Sequence, residues 1–224
     1  MSDSPAPDPI IRRLGLIRDS IDRAARTARR EPASVSLIAV TKTHPAEEIT
    51  GLIAAGQRDF GESRVQEAQG KWPPLLAAHA GLRLHLIGRL QSNKAADAVA
   101  LFDTIHSLDR PSLLDALVAA AAKTGRTPSV YVQVNIGEED QKGGVATADL
   151  PGFLAQVRAS PLPLAGLMAI PPAGPEPAPF FALLAKLARR HDVSGLSMGM
   201  SGDYETAVML GATAVRVGSA LFAD

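Results

Sequence analysis

A lone lysine, Lys42, stands between two threonines at the end of VSLIAV (residues 35–40), a run of apolar or small side chains. Such a run reads as a buried strand, and a hydrated ammonium cannot share its interior, so Lys42 belongs where the strand leaves the core. Taken alone, a strand-end amine reads equally as a group keeping its head in water above an apolar stem. Two later stretches set glycine beside serine, SMGMSGD (197–203) and RVGSALF (216–222). Glycine lets backbone approach an anion, the free N–H groups of a following helix point outward, and Ser201 and Ser219 add hydroxyl donors. The bland alternative is that Gly199 and Gly202 only turn the chain and that Ser201 caps a helix over 203–210. A nucleophilic amine opposite a phosphate cradle is equipment for holding a phosphorylated aldehyde as an imine.

These residues need a scaffold that brings strand ends together. From Val35 onward the chain repeats a short apolar strand, a polar loop, an amphipathic helix and a glycine or proline stop. Eight strands are predicted: 35–40, 59–61, 83–87, 104–106, 130–135, 164–168, 196–198 and 214–217. Helices fall between them, for example 111–123 before Gly125 and 180–190. Pro45 suits the first turn of a helix carrying Ile49, Leu52 and Ile53, with Thr43 or His44 as its cap. Eight such units in 224 residues predict a (β/α)₈ barrel, with an open doubly wound sheet as the alternative; no GxGxxG follows the first strand. In a barrel the polar residues after each strand share one mouth: Lys42, Glu62, Ser63, Gly88, Gln91, Asn135, Met200, Ser201, Arg216, Gly218 and Ser219. The proline-rich stretch 171–179 reads as a stiff surface loop.

A helix bearing Ile10, Leu14, Ile17 and Ile21 precedes the first strand, with Asp8 and Pro9 at its start. Residues 1–7 are expected to form a disordered tail and residues 8–224 a single domain. Arg12, Arg13, Arg18, Arg23, Arg26, Arg29 and Arg30 on and after that helix read as a solvated face, because 23 basic and 23 acidic residues cancel. That neutrality leaves no field for nucleic acid, and no apolar run is long enough for a membrane. The absence of cysteine excludes thiolate chemistry, and no histidine pair has metal-ligand spacing, so no metal is expected. His85 and His106 read as hydrogen-bonded core or rim histidines. The expectation is a cytoplasmic monomer.

Lysine plus phosphate site suggests pyridoxal 5′-phosphate. TKTHP, DFGESRVQEAQGK, HLIGRLQSNK, IHSLDR, VQVNIGEEDQKGG, LAGLMAI, LSMGMSGDYETAVMLGAT and VRVGSALF resemble, in order, the signatures of the YggS/PROSC family of pyridoxal-phosphate homeostasis proteins, from about Leu37 to Phe222. The resemblance implies the barrel of the alanine racemase N-terminal domain, with Lys42 as the Schiff-base lysine. It makes Arg216 the partner of the pyridine nitrogen and Ser201, Gly218 and Ser219 the phosphate ligands. Three positions depart from it: Ser63 in place of the asparagine of GEN, Arg89 in place of proline or histidine, and Gly143 in place of the serine of KSG. An arginine partner leaves the ring a weak electron sink, and racemisation in the related fold uses a tyrosine from a second domain, whereas this chain offers only Tyr131 and Tyr204. The expected role is a carrier that buffers the cofactor and hands it to apo-enzymes, Lys142 being a candidate to guide it or a solvated loop charge. The alternatives are a small amino-acid racemase or lyase, and a barrel that only docks a partner.

Overall fold

The computed structural model describes residues 9–139 and 141–222, so the expected tail and the Asp8 cap lie outside the described residues. Eight parallel strands close a barrel in chain order. They are β1 (Ser36–Val40), β2 (Asp59–Glu62), β3 (Arg83–Leu86), β4 (Thr104–Leu108), β5 (Ser129–Gln133), β6 (Leu164–Met168), β7 (Leu196–Ser197) and β8 (Ala214–Val217). β1 pairs on both sides, Val40 opposite Gly61 of β2 and Ile38 opposite Arg216 of β8, and this closure replaces the open-sheet alternative. The apolar runs follow from the architecture, since each strand is covered by side chains inside the barrel and by helices outside. β5 ends at Gln133, short of the expected 135, because the Asn135 side chain accepts from Glu139 N and donates to Glu139 O and so curls the chain.

The outer elements are α1 (Pro9–Thr27), α2 (Ala46–Ala54), α3 (Val65–Ala78), α4 (Ala95–Leu101), α5 (Pro111–Thr124), α6 (Leu150–Ala159), α7 (Ala178–Arg190), α8 (Tyr204–Met209) and α9 (Ser219–Phe222). α5 stops where Gly125 takes φ 71°, a left-handed position that suits glycine. α7 begins inside the proline-rich stretch and absorbs Pro179, whose missing N–H costs nothing in a first turn.

α1 is the extra N-terminal helix, burying Ile10, Leu14, Ile17 and Ile21 and packing on α8, α2 and α9. Its arginines divide. Arg12, Arg23, Arg26 and Arg29 are exposed as expected, but three tie the helix region to the barrel. Arg13 donates to Leu221 O, Arg18 to Ala55 O and Gln57, and Arg30 to Val208 O and Ala212 O. Each satisfies a backbone carbonyl at the end of a neighbouring element, which a purely solvated face would leave to water.

Candidate functional site

Lys42 sits on a turn held from below. Thr41 is buried and continues the sheet through its amide to Gly61 O, and its hydroxyl donates to Glu62 Oε1 at 2.7 Å. Lys71, on α3, reaches Thr41 O at 2.8 Å, His44 O at 3.1 Å and Glu62 Oε1 at 2.8 Å, gripping the chain on both sides of Lys42. Trp72 Nε1 adds a third bond to Glu62 Oε1 at 2.8 Å. Lys42 itself is exposed, and its amine has no hydrogen-bond or ion-pair partner among the described residues.

The expected cap of α2 is not formed. Thr43 takes φ 66° and sends its amide to Glu67 Oε1 at 2.6 Å, its hydroxyl returning to Lys42 O. His44 stacks on Phe222 with centroids 3.6 Å apart and bonds Glu48, leaving Pro45 at the cap position without a side-chain bond. The left-handed turn at Thr43 points both side chains away from the first helical amides.

Opposite Lys42, Ser201 Oγ accepts from the amides of Gly218 and Ala220, each at 3.2 Å, so it belongs to the start of α9. It does not cap α8; Asp203 there accepts from Met200 N at 2.6 Å. A Cβ on Gly218 would lie 3.2 Å from Val40 Cβ and 3.3 Å from Val40 O, so glycine lets the end of β8 lie close against β1 beside Lys42. Arg216 is 4% exposed and donates to Ser197 Oγ at 2.5 Å and Ala169 O at 3.1 Å. It pairs with neither Glu62 nor Glu205; Glu205 instead takes a bond from Ser20. Burial lowers the guanidinium to about 10, against the opposing pull of Asp203 and Tyr131, and it remains charged at neutral pH.

Lys42, Ser201, Arg216, Gly218 and Ser219 line one cavity of ≈ 510 Å³, with Ser63, Gly88, Met200 and Gly202, and with Val40, Ile87 and Ile170 as apolar wall. Glu62, Gln91 and Asn135 do not reach it: Glu62 is buried beneath Thr41, Gln91 opens onto a neighbouring groove, and Asn135 builds its own loop. Arg89, Lys142 and Gly143 line an adjoining cavity of ≈ 340 Å³ that shares Ile87, Gly88 and Ile170 with the first. Lys142 is not a free loop charge: its amine meets Glu139 at 2.7 Å and Pro171 O at 3.2 Å. A groove of ≈ 530 Å³ between α1 and α2 has comparable volume but lacks a lysine and a glycine–serine cradle.

Below the cavity a polar chain fills the barrel interior. His106 Nδ1 lies 2.8 Å from Ser197 Oγ, His106 Nε2 lies 3.0 Å from His85 Nδ1, and His85 Nε2 lies 2.9 Å from Asp59 Oδ1. Arg83 closes the chain with two bonds to Asp59, at 2.6 and 2.5 Å. Burial alone would raise Asp59, but the bonds from His85 and Arg83 overcome it and hold the carboxyl at about 2. Burial, with help from His85 and Arg216, keeps His106 well below the usual imidazole range. The histidines were legible as hydrogen-bonded core residues; their junction with Asp59, Ser197 and Arg216 was not, because only barrel closure brings β2, β3, β4, β7 and β8 to one interior.

The chain matches the alanine racemase N-terminal domain family over residues 14–224. It is 41% identical over 220 residues to the pyridoxal phosphate homeostasis protein of Pseudomonas aeruginosa, covering 95% of this chain and 94% of that one. It is 38% identical over 223 residues to the Escherichia coli protein of the same name, covering 95% of each. Among solved structures it resembles PipY of Synechococcus elongatus with pyridoxal phosphate bound, at TM-score 0.82 and 41% identity over 95% of this chain and 99% of that one. Alanine racemase of Corynebacterium glutamicum, at 19% identity and TM-score 0.65, shares the fold, and this chain covers 60% of it.

Proposed function

The chain belongs to the pyridoxal phosphate homeostasis protein family, on the barrel of the alanine racemase N-terminal domain, and from that premise we propose that it holds pyridoxal 5′-phosphate on Lys42 as a carrier and buffer, without substantial turnover. The observation that carries the proposal is the unpaired Lys42 amine in one cavity with the Ser201, Gly218 and Ser219 cradle and the buried Arg216. The residues fit the cofactor. Gly218 brings backbone N–H groups to the cavity wall where a side chain would press on Val40, and the Ser201 hydroxyl already engages the same amides. When bound, the cofactor supplies an aldehyde that condenses with an amine and a ring that can withdraw electrons.

Each residue then has a defined task. Lys42 would supply the amine, and the Ser201 and Ser219 hydroxyls would hold the phosphate, Gly218 leaving room for it beside Val40. Arg216, being only a donor and charged at neutral pH, would face the ring nitrogen as a hydrogen-bond donor and favour its unprotonated form. A ring held so is a poor electron sink, which supports storage over transamination or decarboxylation. Neither tyrosine lines the cavity: Tyr131 stacks under His106 at 4.4 Å, and Tyr204 starts α8 packed against the core. No tyrosine base therefore stands opposite Lys42 among the described residues, which weighs against the racemase reading. Lys142 lines the cavity that shares Ile87 and Gly88 with this one, which supports a role in guiding cofactor toward an apo-enzyme when its pair with Glu139 opens.

Borohydride reduction of the loaded protein, followed by peptide mass mapping, tests the reading. A single pyridoxyl adduct on Lys42, lost in Lys42→Ala, is expected. An adduct elsewhere with Lys42 unmodified overturns the site, and racemisation or decay of amino acids at catalytic rates overturns the carrier role.

A further inference from the structure

The interior of a barrel of this kind is ordinarily filled by branched apolar side chains. Here five polar residues, Asp59, His85, His106, Ser197 and Arg216, lie in it, none more than 8% exposed. Buried polar groups are costly unless every one is satisfied, and a fully satisfied chain specifies one arrangement. This chain runs without a gap from Arg83, at the amino end of β3, to Arg216, in the cavity wall.

We infer that His106 and His85 are positioning residues that act through Ser197 to set the orientation of Arg216 toward its ligand. With both rings neutral, the chain's polarity follows from its two ends. A carboxylate only accepts and a guanidinium only donates. Asp59 therefore takes the Nε2 proton of His85, whose bare Nδ1 accepts from His106 Nε2–H. The bare Nδ1 of His106 in turn accepts the Ser197 hydroxyl proton, which leaves the Ser197 oxygen to accept from Arg216. Each middle member donates once and accepts once, so the two rings are held in the same neutral tautomer. The other Arg216 bond, to Ala169 O, fixes the guanidinium plane from the β6 side. Tyr131, stacked on His106 with planes 15° apart, prevents the ring from turning out of line. Removing His106 strands the Ser197 hydroxyl without an acceptor and frees it to compete for the cavity.

The positioning role rests on the proposed cofactor only where the ligand is concerned, and the experiment separates the two. In full-length protein with ¹⁵N-labelled histidine, NMR at pH 7 is expected to show His85 and His106 both neutral with the proton on Nε2. A charged ring, or an Nδ1 proton on His106, overturns the relay. In arginine-labelled protein, the Arg216 guanidinium is expected to give resolved Nη signals in wild type and signals averaged by rotation in His106→Phe. Unchanged Nη signals in a folded His106→Phe overturn the positioning role whether or not any cofactor binds. With added pyridoxal phosphate, His106→Phe is expected to shift the visible absorption and weaken retention about tenfold, as for loss of one hydrogen bond to a charged group, while Lys42 remains trapped by borohydride. His106→Gln, whose amide can accept from Ser197 and donate to His85, should restore both. A folded His106→Phe with wild-type absorption and retention rejects the inference, whereas failure of wild type to bind rejects the cofactor reading and leaves the NMR outcomes to decide the relay.

Discussion

Lys42 and Lys71 carry the same amine to opposite ends. Lys42 is exposed and unpaired, whereas the Lys71 side chain is 10% exposed and spends its protons on two carbonyls and on Glu62, which is fully buried. Truncating one member of a buried pair leaves the other charge uncompensated, at a cost of about 3–5 kcal/mol. Lys71→Met should therefore lower stability by about 3 kcal/mol in urea unfolding, and the double variant Glu62→Gln with Lys71→Met should recover part of the loss. A loss below about 1 kcal/mol in the single variant would show that the pair is worth no more than a surface one. Lys42 was legible in the sequence because its apolar run and flanking threonines announce a strand end. Lys71 was not, since a helix lysine distant along the chain looks like any solvated charge until the fold folds it under Thr41.

At the scale of elements, periodicity and glycine stops located all eight strands, and β6 and β8 match their predicted bounds; the misses lie where side chains redirect the backbone. Asn135 ends β5 early, and the left-handed turn at Thr43 removes the expected cap from α2. Contacts between elements were also invisible. A Cβ on Gly195, at the entry to β7, would come within 1.9 Å of Ala165 O in β6, and one on Gly166 within 2.2 Å of Gly195 O. This is backbone against backbone, with no flexible side-chain tip to give way. Gly195→Ala should cost about 1–3 kcal/mol, as overpacking does. Gly152, in α6, has nothing within 4 Å of its added Cβ. Gly152→Ala should instead stabilise by about 0.5 kcal/mol through the lower entropy of the unfolded chain. Equal shifts of the two denaturation midpoints in the same direction would refute the close-approach argument.

Across the whole molecule, the barrel could be counted from the sequence, but which side chains face its interior could not, because apolar runs buried on both faces carry no alternation to mark inside from outside. The polar chain through that interior makes stability depend on pH in two steps. His106 is buried neutral, its folded pKa held well below 6.5, so below about pH 6.5 the unfolded chain binds a proton the folded one refuses. Asp59 is also depressed, from 3.8 to about 2, so its stabilisation is whole above about pH 4 and lost as pH falls through about 2. The Asp59 shift therefore supports the folded state at neutral pH and withdraws that support on acidification, whereas the His106 shift costs nothing at neutral pH and penalises the folded state sooner, as pH falls below about 6.5. The Asp59 share is about 1–2 kcal/mol, discounted because its partner Arg83 is 59% exposed. Urea unfolding should give a free energy that is level near pH 7, declines as pH falls below about 6.5, and declines more steeply below about 4. His106→Gln has no imidazole for the unfolded state to protonate, so it should flatten the first decline and keep the second, while Asp59→Asn should do the reverse. Because other histidines and carboxylates add slopes of their own, the difference between wild type and variant is the quantity to compare. A wild-type curve parallel to that of His106→Gln from pH 7 to 5 would mean that His106 accepts its proton in the folded barrel as readily as in the unfolded chain.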